Sequence, residues 1–157
     1  MNLGDTILWG IVATIALTVI LGFGQAAGLS RMSLPYILGT LFTADRRKAP
    51  LIGIGVHMVN GILFSMAYSL AFESLEATTW WIGAVLGVIH TAFVLVVIAY
   101  LPGVHPRMAT DQAGPRARAA LQPPGFLALN YGVRTPLVTL AAHIAYGAVL
   151  GALYRLG

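Results

Sequence analysis

The chain has 157 residues, of which 58% are hydrophobic and only 9% are charged, and it contains no cysteine. A soluble domain of this size needs a charged coat, at about 25% of its residues, so that class is excluded. The high mean hydropathy of +0.83 excludes disorder, and the missing cysteines exclude disulfides, thiolate metal sites and iron–sulfur clusters. What is left is an integral membrane protein.

A helix crosses the roughly 30 Å hydrocarbon core with about 20 apolar residues. Four segments qualify, at residues 7–29, 51–72, 80–101 and 137–154, and none holds an Asp, Glu, Lys or Arg. The alternation of a β-barrel strand is missing. The expected fold class is therefore all-α, a polytopic protein forming a single transmembrane domain over residues 1–157. The first segment is expected to stay as a span. Its leading tail carries Asp5 and no basic residue, and its apolar run exceeds a signal-peptide core, although Gln25-Ala26-Ala27 offers a weak cleavage site.

Between the first and second spans lie Arg31, Arg46, Arg47 and Lys48. Between the third and fourth lie Arg107, Arg116, Arg118 and Arg134. Only Arg155 lies at the opposite end. The positive-inside rule makes the basic loops cytoplasmic and both termini external, in a bacterial inner membrane. Glu73 and Glu76 then sit in the short outer loop, and Trp80 and Trp81 in an outer aromatic belt. The pI near 9.9 reflects this topology and contact with anionic lipid, not nucleic acid. Residues 32–42 are apolar but too short to span, and suit a short interfacial helix. Residues 102–136 read as irregular structure, with Phe126, Leu127 and Tyr131 tucked against the bundle. His105 falls there as a loop residue.

An internal repeat emerges at an offset of 86. Pro50, Leu51, His57, Gly61, Ser65 and Tyr68 fall on Pro136, Leu137, His143, Gly147, Gly151 and Tyr154. This suggests tandem hairpin units at about residues 1–72 and 80–157, related by an axis along the membrane normal. At 100° per residue the His, Gly, small residue and Tyr share one stripe, expected to face the interior. His57 and His143 come at one depth, with Tyr68 and Tyr154 near the outer interface. His90 breaks the symmetry: aligning Arg31 with Arg107 gives it Thr14 as counterpart. Counting from Trp80 places it about 5 Å nearer the outer face than the other two.

The apolar Ser30-Arg31-Met32-Ser33-Leu34-Pro35 stretch after the first span, the His-x3-Gly-x6-Tyr helix and the Gly-rich third helix containing His resemble the YagU-type proteins. These are small bacterial inner-membrane proteins of unknown function. The matching positions are His57, Gly61, His90, His143 and Gly147. The resemblance implies a four-helix inner-membrane fold and no particular activity.

Ionisable groups in hydrocarbon are costly and mark functional sites. The plain alternative is a neutral histidine bonded to a nearby hydroxyl or carbonyl. Three functions suit the histidines. His57 and His143, with Gly61 and Gly147 making room, offer two axial ligands to a b-type haem or another tetrapyrrole. His57, His90 and His143, with Tyr68 and Tyr154, offer a polar core or proton path. The third is a non-enzymatic accessory or assembly subunit or scaffold, paired with other membrane subunits or with itself, and it is the expected role. A three-histidine metal site is awkward given the depth of His90. No protease, hydrolase or nucleotide motif points to an enzyme.

Overall fold

The computed structural model describes residues 1–108 and 121–157. Arg116, Arg118 and Asp111 lie outside the described residues. The described chain is helical. Its one β-bridge joins Met108 to Leu121, and four helices are long and apolar enough to cross a membrane.

Helix α1 runs Leu3–Ala26, opened by Asn2, whose side chain accepts from the Asp5 amide. It ends at Gly28, whose φ of +70° lets the Leu29 amide turn back to the Gly24 carbonyl at 2.9 Å. The apolar stretch after it forms the short helix α2, Leu34–Phe42, with Pro35 in its first turn. The second span, α3, is Ala49–Leu75. It also starts on a proline and ends at Glu76 in the left-handed region, φ 50°. Helix α4 is Trp80–Val97, capped by the Thr79 hydroxyl, and continues as a 3₁₀ turn over Ile98–Gly103. A second 3₁₀ turn, Phe126–Tyr131, precedes α5, Thr135–Leu153.

Within that second turn Tyr131 is buried and Leu127 is half-buried. Phe126 is 68% exposed, so it does not tuck inward as its hydrophobicity suggests. The positive φ values of Gly125, Leu127 and Ala128 turn the chain so that Ala128 and Tyr131 face inward instead.

The spans pack in the order α3, α1, α5, α4. Small residues make the close approaches. A Cβ added at Gly83 would overlap the Gly147 carbonyl, and one at Gly87 the His143 carbonyl. Between α1 and α3, Gly10 meets Ser65 and Thr14 meets Gly61. Between α1 and α5, Gly24 meets Val138. Helix α2 folds back on the first turns of α3, with Gly39 against Ala49 and Gly53 against Pro35. Helices α3 and α4 approach each other through large rings rather than glycines. Phe64 meets His90 with ring centroids 3.9 Å apart, and Phe93 at 6.0 Å.

Both ends are tied by hydrogen bonds. At the end bearing the chain termini, Glu73 Oε1 accepts from the Tyr154 hydroxyl at 2.6 Å and the Gly157 amide at 2.9 Å. At the basic end, Arg107 donates to the Thr40 carbonyl at 2.6 Å and Arg31 to the Asn130 carbonyl at 2.7 Å. Those carbonyls are the unpaired acceptors that a helix or turn terminus leaves behind.

Candidate functional site

The three span histidines border one cavity of about 220 Å³, together with Thr14, Asn60, Gly61, Thr139 and Tyr146. Its walls are otherwise apolar. His143 is buried and comes from α5. Its Nδ1 donates to the Thr139 carbonyl one turn back, at 2.8 Å. A carbonyl only accepts, so His143 carries its proton on Nδ1 and Nε2 is an acceptor. His90, from α4, lies edge-on to it with ring centroids 4.6 Å apart. The Tyr68 hydroxyl of α3 sits 3.3 Å from His90 Nδ1. His57, also from α3, has a buried Nε2 with no partner among the described residues.

His90 and His143 therefore stand ring against ring. The sequence count took each span's hydropathy edge as its membrane boundary. The true register follows the backbone approaches of Gly83 to Gly147 and Gly87 to His143. One turn beyond Gly87 brings His90 to the His143 ring. Among the described residues no three His, Asp or Glu side chains are grouped to hold a metal ion.

The two repeat-matched tyrosines differ. Tyr68 is 5% exposed and its hydroxyl reaches His90, so it belongs to the histidine layer. Tyr154 stands at the terminal end, where its hydroxyl also accepts from the Asn2 amide at 3.0 Å. Gly61 lines the cavity beside Thr14, while Gly147 serves the helix contact with Gly83.

Tyr146 is a member that the sequence reading missed. It is 1% exposed, and its hydroxyl donates to the Gly61 carbonyl of α3 at 2.5 Å. Its ring meets Tyr68 and His90 edge-on, at 5.4 and 5.8 Å. The available signal was its place three residues after His143, on the same helix face.

His105 lies elsewhere. It is buried under α2, accepts the Arg107 amide at Nδ1 (3.1 Å) and donates from Nε2 to the Ile37 carbonyl (3.0 Å). It ties the loop to α2 and takes no part in the cavity.

A second, mainly apolar cleft of about 280 Å³, with Tyr68 and His90 in its wall, follows the half of the α3–α4 seam nearer the chain termini. Phe64, His90 and Phe93 line both spaces. The seam that lacks glycines is thus the side on which the histidine layer is least covered by helix backbone.

Compared with known proteins, the chain matches no family model, no curated protein and no solved structure.

Proposed function

We propose that the chain is a non-enzymatic accessory subunit of the bacterial inner membrane, whose working part is the histidine-lined cavity, used to hold a small ligand. The observation that carries this reading is the partnerless His57 Nε2, buried on a wall shared with His90 and His143. A buried polar atom without a partner costs about 1–3 kcal/mol. A retained orphan in a polar layer suits a site completed by a ligand.

The basic ends of the spans face the cytoplasm in this reading, and both termini face out. The two hairpins are tandem copies. Two kinds of correspondence support that. The offset of 86 relates α3 to α5, and an offset of 73 relates Thr6, Gly10, Thr14 and Thr18 to Thr79, Gly83, Gly87 and Thr91. The contacts follow the same pairing: Gly10 packs on Ser65, and Gly83, the counterpart of Gly10, packs beside Gly151, the counterpart of Ser65. On this alignment His90 answers to Leu17 rather than Thr14. Kinship with the YagU-type proteins belongs to the same proposal. It is supported by His57, Gly61, His90 and His143 bordering one cavity, with Gly147 at the helix contact beside it.

Haem ligation by His57 and His143 is the less favoured use of the layer. A porphyrin is a rigid disc, and the cavity of about 220 Å³ could take one only if the helices parted. A proton path is less favoured too. Thr14, Thr139 and Thr91 close their hydroxyls on carbonyls one turn back, which leaves few free relays.

The test is a native mass spectrum of the full chain extracted in mild detergent, with an absorption spectrum of the same sample. One small adduct per chain, lost in His57→Ala plus His143→Ala, is expected. A bare wild-type chain would contradict the reading, and a Soret band would replace it with haem.

A further inference from the structure

Resting on the reading of this cavity as a ligand site, we propose that its ligand is a neutral, single-chain amphiphile with a hydroxyl head, taken laterally from the bilayer between α3 and α4. Three observations converge on that chemistry. First, the polar end of the cavity needs a donor. His143 uses Nδ1 on the Thr139 carbonyl, so its Nε2 offers a lone pair. His57 Nε2 is an orphan in the same wall. An alcohol serves both kinds of partner, since a hydroxyl donates one hydrogen bond and accepts others.

Second, among the described residues no Lys, Arg, Asp or Glu lines the cavity. A carboxylate or phosphate head would be a buried charge without a counter-ion, which costs far more than a neutral group. The head is therefore uncharged.

Third, the space beyond the histidines suits a hydrocarbon tail. Leu34 and Leu38 of α2 and Val94, Val97 and Leu101 along α4 and its 3₁₀ extension form an apolar wall running toward the basic end. Helices α3 and α4 meet only through side chains here. Phe64 lies over His90 and edge-on to Phe93. Rotating a ring is cheap beside parting two glycine-packed helices, so this seam, and not α4–α5, is the portal.

The experiment uses the full chain in phosphatidylcholine vesicles and a diazirine-bearing hexadecanol as photoprobe, with labelled peptides read by mass spectrometry. Labelling is expected at residues 57–64 or 90–101. Unlabelled hexadecanol should compete, whereas hexadecane and, at pH 8, palmitate should not. His143→Ala should cut the labelling about five-fold, the scale of one lost hydrogen bond. Val97→Trp, which fills the tail wall and spares the histidines, should also cut it, and this keeps the test alive if His143→Ala fails to fold. Labelling spread evenly over all four spans would overturn the proposal. Equal competition by hexadecane or palmitate, with labelling still at those peptides and still dependent on His143, would overturn the hydroxyl head and leave the cavity as a ligand site.

Discussion

His143 and His105 carry their protons on opposite nitrogens, and the reason is the neighbour each one meets. A carbonyl one turn back claims the Nδ1 proton of His143. A backbone amide two residues on makes Nδ1 of His105 an acceptor and sends its proton to Nε2. Tyr146 has the larger mechanical role, since its hydroxyl ties α5 to α3 through the Gly61 carbonyl. Tyr146→Phe should cost about 1 kcal/mol of stability, read as a lower thermal midpoint in detergent. Outside the spans, burial pushes the Tyr131 phenol from 10.0 up to about 12. A raised acid stays neutral in the folded chain while its unfolded counterpart ionises. Its effect on stability is therefore flat below pH 10 and unfavourable between 10 and 12. Tyr131→Phe should lose less stability than wild type across that window in a pH series of thermal melts. At this scale the histidines were legible, because no other readily ionisable side chain lies within the four segments. Tyr68 and Tyr146 were not, because a tyrosine in an apolar helix serves a belt or a core equally well, and only packing separates the two.

At the scale of helices, proline marks the start of α2, α3 and α5, and glycine or a left-handed residue marks the ends of α1 and α3. Those boundaries were readable to within a few residues. Register was not, because hydropathy has no sharp edge and the backbone contact at Gly83 and Gly147 sets the level of every side chain around it. Gly83→Ala should destabilise the bundle by about 1–3 kcal/mol, the usual cost of overpacking. Gly22 has open space around it, so Gly22→Ala should be neutral or raise stability by up to about 1 kcal/mol through helix propensity. Thermal unfolding of the two variants side by side checks both. Glu76 is exposed and holds φ 50° at the end of α3. Glu76→Gly should stabilise by up to about 1 kcal/mol by removing the Cβ strain of that conformation.

The whole molecule is a bundle closed by glycine contacts on three sides and by aromatic rings on the fourth. Four spans followed from apolar length alone. Their spatial order did not, since every span is apolar on most of its surface and a lipid-facing residue looks like a core residue in sequence. The lack of native cysteine makes orientation directly testable. In the proposed topology a cysteine at Glu76 reacts with an impermeant maleimide from outside intact cells, and one at Arg46 reacts only after lysis. The central claim is that His57, His90 and His143 form one site and His105 none of it. Histidine-selective ¹⁵N NMR of the four imidazoles tests it most directly, in wild type and in His90→Phe. The account predicts a protonated Nδ1 at His143 and a protonated Nε2 at His105. It also predicts that removing His90 shifts the His57 and His143 signals and leaves His105 in place. Signals of His57 and His143 that ignore His90, or a His143 protonated at Nε2, would contradict it.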